Sequence, residues 1–170
     1  MKVPAPVRRA VALSLTVAGA LAFLAPLLTR VTLGHAFFLT GRGKLANFET
    51  TVEFFAAQGI PMPELNAAFV SRLEYYGGAL LVIGLLTRVV SLLLAGTMAV
   101  ALLQERQQFL ASWLPTGEVG PTDIAPWVFL VLLLWLVLHG PGAASLDRLL
   151  AGWLREEEPE AAAVEPARAA

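Results

Sequence analysis

The chain contains no cysteine, which excludes disulfide bonds, thiol redox chemistry and thiolate metal sites from the polypeptide itself. Its two histidines, His35 and His139, lie far apart without the spacing of metal ligands, so no protein-built metal site is expected. Charged residues are scarce, at 15% of the chain, compared with roughly 25% in soluble domains. The net charge of −1 gives no indication of a nucleic-acid partner.

Apolar residues, by contrast, make up 57% of the 170-residue chain. Soluble domains contain about 45–50% apolar residues even when glycine is counted among them. A chain of this length is expected to form one domain. The composition therefore indicates a single-domain integral membrane protein.

Four apolar stretches are expected to cross the membrane as helices. They form a predicted membrane domain over residues 22–142, with spans at about 22–41, 64–86, 89–103 and 124–139. Residues 1–21 are predicted to be a cytoplasmic or interfacial extension of the first helix. Two alternatives stay open here: cleavage of the N-terminal apolar run as a signal peptide, and a bend of the long first helix near Pro26 in place of a tilt.

Two shorter helices and a tail complete the expected architecture. Residues 47–58 repeat apolar side chains at helical spacing but are too few to span, which predicts an interfacial or re-entrant helix. Residues 143–154 are predicted to form an amphipathic surface helix, and the acidic residues 155–170 are expected to be disordered. The predicted fold class is therefore all-α, an integral membrane four-helix bundle with these two additional helices.

The distribution of lysine and arginine predicts that both termini are cytoplasmic. Positive residues accumulate on the cytoplasmic side of membrane proteins. With the N-terminus inside, the inner side holds Lys2, Arg8, Arg9, Arg88, Arg148, Arg155 and Arg168, and the outer side holds Arg42, Lys44, Arg72 and Arg106. The excess on the inner side favours a multi-pass protein with this orientation.

Glu74 is the ionisable residue around which the predicted spans are organised. A carboxylate inside an apolar span is costly, so it is expected to face other helices or a water-filled cavity. Small residues in the first two spans would let the two backbones approach each other closely. The candidate contact glycines are Gly34, Gly41, Gly77, Gly78 and Gly84.

Arg30 and His35 in the first span complete a candidate intramembrane polar site with Glu74. Two interpretations of such a site stay open. It is a functional site that binds a quinone head group or relays a proton, or it is a structural network that holds the bundle together. The pairing of Arg30 with Glu74 stays open, since side chains on antiparallel helices lean in opposite directions. Basic residues at the span boundaries are expected to contact lipid head groups or to reach the membrane interface, namely Lys44, Arg72 and Arg88.

Four spaced motifs occur in order along residues 26–150. They are Arg30-x3-Gly34-x2-Phe37-Phe38-x2-Gly41-x-Gly43-Lys44, Phe54-Phe55-x3-Gly59-Ile60-Pro61, Glu74-x2-Gly77-Gly78-x5-Gly84-x2-Thr87-Arg88, and Gly140-Pro-Gly142 with Ser145-Leu-Asp147. In this order and spacing they resemble the DoxX family of small bacterial membrane proteins. The resemblance implies a four-helix bundle in the bacterial inner membrane.

The DoxX family is named after a subunit of a membrane thiosulfate:quinone oxidoreductase, and some members are reported to support redox and thiol homeostasis alongside a superoxide dismutase and a sulfurtransferase. The resemblance implies an accessory subunit of a quinone-linked redox or thiol and oxidative-stress system, without catalytic activity alone. A non-covalently bound quinone is the expected cofactor. The expected partners are the lipid bilayer, a redox or sulfur-handling enzyme and a second copy of the chain. A small-solute carrier and a membrane anchor for soluble enzymes stay open as alternatives.

Overall fold

The computed structural model describes residues 4–114 and 119–154, and every element of regular structure in these ranges is helical. The helices are α1 Ala5–Leu21, α2 Leu24–Ala46, α3 Phe48–Ala57, α4 Pro63–Ile83, α5 Thr87–Gln104, α6 Arg106–Ala111 and α7 Ala125–His139, with a 3₁₀ turn at Pro121–Asp123. Residues 146–154 are also helical and are named α8. The all-α class predicted from the sequence is confirmed, while the predicted disordered tail, residues 155–170, lies outside the described residues.

Among the described residues, two stretches are long and apolar enough to cross a membrane, Pro6–Ala46 and Thr87–Gln104. The helix α7 is apolar but shorter, with 15 residues. The helix α4 has 21 residues, but charged side chains such as Arg72 and Glu74 lower its hydropathy. By length and composition, the described chain is therefore a helical protein with two candidate membrane spans.

The helices α1 and α2 are separated by a break at Ala22 and Phe23. Pro26 lacks the N–H group that would bond the carbonyl of Ala22, and its ring crowds that carbonyl. Ala22 donates its N–H to Gly19, only three residues back, at 3.3 Å, and the regular four-residue pattern resumes with Leu27 donating to Phe23 at 3.4 Å. The backbone is therefore irregular just before Pro26, where the sequence left a bend of the long first helix open.

The helices α2 and α4 pack antiparallel with their backbones in contact. A Cβ atom at Gly34 would lie 2.6 Å from the carbonyl oxygen of Gly78, and one at Gly41 would lie 2.7 Å from the Cα of Tyr75. The contact moves from Gly34 to Gly41 along α2 while it moves back from Gly78 to Tyr75 along α4, so the two helices are antiparallel. Only glycine fits at Gly34 and Gly41, because any side chain would push the two backbones apart.

Apolar side chains from α2, α4, α5 and α7 share one core. Its buried members are Leu33, Phe37, Leu81, Val90, Leu94, Ala95, Leu133 and Leu136. Phe37 on α2 meets Phe129 on α7 edge to face, with ring centroids 5.5 Å apart. These four helices therefore pack as one unit, and α2, α4 and α5 also contribute residues to the site described below.

The ends of two helices differ from the predicted spans. The helix α2 continues to Ala46, whereas the sequence predicted the end of the first span at residue 41. It continues because Gly41 stays helical in its contact with α4. The helix α4 ends at Ile83 and not at residue 86, because Gly84 adopts a left-handed backbone with φ of +72°.

Candidate functional site

Glu74 is buried between α2 and α4, with 2% of its surface exposed. Its Oε1 atom accepts a hydrogen bond from Nζ of Lys44 at 2.6 Å, and this contact is an ion pair. The Lys44 side chain is 31% exposed, so it reaches from solvent to the buried carboxylate. A charge-assisted hydrogen bond of this length is among the stronger polar contacts in proteins.

The position of Lys44 follows from the packing of α2 on α4. Gly41 lies directly against the backbone of Glu74 and Tyr75. Lys44 comes three residues after Gly41 and therefore shares its face of α2. The sequence prediction placed Lys44 at a span boundary with lipid head groups, and the structure gives it Glu74 as its partner. The i, i+3 spacing from a contact glycine is the signal that would have found this pair.

The ion pair lies at the wall of a cavity of about 600 Å³ between α3, α4 and α5. Most of the lining is apolar or aromatic, and polar side chains occupy part of it. The lining includes Lys44, Phe54, Phe55, Phe69, Glu74, Leu93, Gly96, Met98, Val100 and Gln104. The short helix α3, which contributes Phe54 and Phe55, closes one side of this space. The cavity can therefore hold an apolar ring compound next to an ammonium group.

Arg30 lies at the opposite end of α2 from Lys44. The two residues are fourteen positions apart, which corresponds to about 21 Å along the helix axis. Arg30 is 3% exposed, and its Nη2 donates to the carbonyl of Ala144 in the segment that follows α7. Its guanidinium occupies the space beside Gly84, where a side chain would collide with it. Arg30 thus ties α2 to the end of α4 and to the C-terminal segment.

Asp147 completes this second polar cluster. Its carboxylate accepts hydrogen bonds from the N–H groups of Leu86 at 2.7 Å and Thr87 at 2.8 Å, where α5 begins. Its own N–H donates to the carbonyl of Gly84 at 2.9 Å. A carboxylate at the N-terminus of a helix satisfies free N–H groups and complements the helix dipole. The sequence did not predict this role, because the cap lies sixty positions away from the helix that it stabilises.

The candidate polar site predicted from the sequence is therefore divided in the structure. Arg30 and Glu74 have separate partners, and His35 is exposed on the surface of α2. Arg72 is exposed and donates to the carbonyl of Ala68 in its own helix at 3.0 Å. Arg88 is exposed at the start of α5.

The five candidate contact glycines have three different environments. Gly34, Gly41 and Gly78 lie where the backbones of α2 and α4 touch. A Cβ at Gly77 would lie 3.1 Å from Cγ1 of Val90 on α5, and Gly84 faces Arg30. Among the described residues, no group of three or more His, Cys, Asp or Glu is placed to hold a metal ion.

The chain is helical, has apolar stretches of membrane length, and packs two of its helices through glycines next to an ion pair whose carboxylate is buried. These features are typical of an integral membrane protein. The model of the family described as DoxX matches residues 25–113, a region that contains Arg30, Lys44 and Glu74. The chain therefore belongs to the DoxX family, and the resemblance carried by the sequence motifs is confirmed.

The chain is similar to bacterial proteins over most of its length. It is 33% identical over 127 residues to the inner membrane protein YphA of Escherichia coli (strain K12), which covers 72% of the chain and 87% of YphA. It is 29% identical over 124 residues to the inner membrane protein YqjF of the same organism, covering 73% and 90%. A shorter match, 38% identical over 77 residues, covers 45% of the chain and 56% of the Bacillus subtilis (strain 168) protein named "Putative oxidoreductase CatD". No solved structure matches the chain.

Proposed function

We propose that this DoxX protein resides in the bacterial inner membrane and binds a quinone in the cavity beside Lys44 and Glu74. It would act as an accessory subunit of a quinone-linked redox or thiol and oxidative-stress system, with no catalytic activity alone. One observation carries the proposal: an ammonium group, neutralised by a buried carboxylate, lies at the wall of an aromatic cavity of about 600 Å³.

In this proposal α2, α4, α5 and α7 each cross the membrane. At about 1.5 Å per residue, the 23, 21 and 18 residues of α2, α4 and α5 extend roughly 34, 31 and 27 Å. These lengths are close to the ~30 Å hydrocarbon core of a bilayer. The 15 residues of α7 extend roughly 22 Å, so in this proposal flanking residues or a locally thinner bilayer complete its crossing. Because four is an even number of crossings, α1 and α8 lie on the same side of the membrane. The excess of basic residues on that side indicates that it is the cytoplasmic side. The relatives YphA and YqjF, both named as inner membrane proteins, support the location.

The chemistry of the cavity suits a flat ring that carries carbonyl groups. Phe54, Phe55 and Phe69 offer aromatic rings for stacking or edge contacts with the ring. The ammonium group of Lys44 can donate a hydrogen bond to a quinone carbonyl. Because Glu74 balances the charge of Lys44, the pair adds no net charge to the membrane interior. The residues present therefore fit a quinone.

A partner would supply the electrons. A quinone takes up two electrons and two protons when it becomes a quinol, and this chain contains no cysteine that could exchange electrons as a thiol. A redox or sulfur-handling enzyme at the membrane would provide them. The oxidoreductase description in the name of CatD supports a redox setting for the family.

The proposal can be tested by binding of ubiquinone-1 to the purified protein in detergent. We expect saturable binding at one site per chain, and loss of binding in Gly96→Leu. A side chain at Gly96 would extend into the cavity, since no described atom lies within 4 Å of its Cβ position. Gly19→Leu is the matched control, because Gly19 is equally uncrowded and lies on α1, away from the cavity. We expect Gly19→Leu to bind like the wild type.

Lys44→Met provides a second measurement. We expect its affinity for ubiquinone-1 to fall about tenfold or more, the usual effect of losing a hydrogen bond to a charged group. Arg72→Met, at a basic residue that bonds only within its own helix, should bind normally. Absence of saturable binding by the wild type, or equal affinity of the wild type and Gly96→Leu, would contradict the proposal.

A further inference from the structure

His35 lies at the middle of α2 and is exposed on the outer surface of the chain. Eleven residues separate it from each end of the helix, Leu24–Ala46, which corresponds to about 16 Å along the axis. In the proposed membrane placement of α2, the imidazole therefore faces the hydrocarbon core, and its short side chain reaches neither interface. An ionisable side chain inside a membrane almost always faces other helices or a water-filled cavity.

Thr32, one turn before His35, is a second polar residue on this side of α2. Two neighbouring threonines of the helix, Thr29 and Thr40, donate to carbonyls of their own helix at 2.9 Å and 3.0 Å. Within the described chain, by contrast, neither Thr32 nor His35 makes a side-chain hydrogen bond. Polar atoms without a partner are costly in hydrocarbon. This side of α2 therefore lacks a polar partner that the chain itself does not supply.

The polar pair belongs to a row of exposed residues that we call the α2 outer seam. Successive members are three and four residues apart in alternation, which is the spacing of the contact positions in a pair of coiled helices. The seam consists of Ala25, Leu28, Thr32, His35, Leu39 and Arg42, all of them exposed. Gly34 and Gly41, which touch α4, lie on the opposite side of α2. The described helices of this chain therefore leave the seam uncovered.

A second copy of the chain offers the polar groups that the seam lacks. A neutral imidazole has one N–H donor and one acceptor nitrogen, and a hydroxyl group also donates and accepts. Each group can therefore pair with an identical group. In a two-fold dimer the same surface faces itself. Because both copies have the same orientation in the membrane, the two-fold axis is perpendicular to the bilayer. The two α2 helices then run parallel, with identical residues opposite each other.

We propose that the α2 outer seam joins two copies of this protein as a parallel dimer in the membrane. The imidazole of His35 donates to the imidazole of its counterpart, and the Thr32 hydroxyl groups of the two copies bond each other one turn away. Leu28 and Leu39 pack before and after these polar contacts. Arg42 lies beyond them at the outer boundary, where water and salt screen its charge from its counterpart. The dimer rests on the proposed crossing of the membrane by α2 but not on the binding of a quinone.

Disulfide cross-linking tests the seam directly, because the chain contains no cysteine of its own. We expect Leu39→Cys in the full-length protein, reconstituted into vesicles at a low ratio of protein to lipid, to form a covalent dimer on mild oxidation. Leu134→Cys on α7 is the matched control, since Leu134 is 43% exposed and Leu39 is 42% exposed. The control should stay largely monomeric, because only the seam brings two equivalent cysteines within disulfide distance.

The contribution of His35 is measured in the same Leu39→Cys background. His35→Leu should weaken dimerisation about three- to tenfold, the effect of losing one hydrogen bond between membrane helices. His35→Gln should retain the dimer, because its carboxamide also donates and accepts. Both substitutions lie at an exposed position, so the fold of the single chain should stay intact.

Three results would overturn the proposal. The first is a Leu39→Cys protein that stays monomeric in the vesicles, which would leave the seam to lipid or to another protein. The second is equal cross-linking of Leu39→Cys and Leu134→Cys, which would indicate random collisions. The third is unchanged dimerisation on His35→Leu substitution. Since none of these measurements uses a quinone, the dimer and the proposed quinone site can each fail without the other.

Discussion

The ammonium nitrogen of Lys44 lies 2.6 Å from Oε1 of Glu74 and joins the end of α2 to the middle of α4. The carboxylate is almost fully buried, while the lysine side chain is partly exposed. This arrangement makes Glu74 tolerable in an apolar helix, because its charge is paired where it is withdrawn from water.

Removing one partner of this pair should therefore cost more than removing both. We expect Lys44→Met to lower the free energy of unfolding by about 2–4 kcal/mol, since it leaves a buried carboxylate without its counter-charge. The double variant Lys44→Met/Glu74→Gln should regain a large part of that loss. The measurement is unfolding in mixed micelles, arranged as a double-mutant cycle. Additive effects of the two substitutions would show that the pair contributes nothing.

The glycine contact between α2 and α4 predicts opposite effects of the same substitution at two sites of one helix. Gly34→Ala should destabilise the protein by about 1–3 kcal/mol, because its Cβ would lie 2.6 Å from a backbone oxygen of α4. Gly43→Ala is the control, with no described atom within 4 Å, and should be neutral or stabilising by about 0.5–1 kcal/mol. Equal stability of the two variants in the same unfolding experiment would show that α2 does not touch α4 at Gly34.

The hydrogen bonds that Asp147 accepts at the start of α5 predict that its carboxylate stabilises the protein as a cap of that helix. Asp147→Ala should lower the free energy of unfolding by about 1–2 kcal/mol, since two N–H groups at the start of α5 lose their acceptor. Asp123→Ala is the matched control. That carboxylate accepts from Gly120 at 2.8 Å on an exposed turn, where water can replace it, so its loss should cost less. A larger loss in Asp123→Ala than in Asp147→Ala would contradict the capping role.

Alanine substitutions at Gly84 and Gly59 distinguish the cost of backbone strain from the cost of a steric collision. Both have positive φ, +72° and +69°, so alanine at either site is strained by roughly 1 kcal/mol. Only at Gly84 would the new Cβ also collide with the guanidinium of Arg30. We expect Gly84→Ala to unfold at clearly lower denaturant concentration than Gly59→Ala. Similar midpoints for the two variants would mean that Arg30 moves aside without cost.

The sequence by itself determined the class and the family of this protein. The high apolar fraction and the scarcity of charge indicate a helical membrane protein, because only helices and closed barrels satisfy the backbone in a bilayer. The spacing of Gly34 and Gly41 against Gly78 shows on a helical projection which faces can touch. The ordered motifs identified the DoxX family, which the family model confirms.

Only the tertiary structure decided which charges meet. A shift of one helical turn moves a side chain by about 5.4 Å, more than the reach of an ion pair, so the register of α2 on α4 selects Lys44 and not Arg30 as the partner of Glu74. The cavity and the Asp147 cap likewise join segments that are distant in sequence, α3 with α5 and α8 with α5. Helical periodicity specifies the face on which a residue lies, whereas the close approach of two backbones specifies what that face meets.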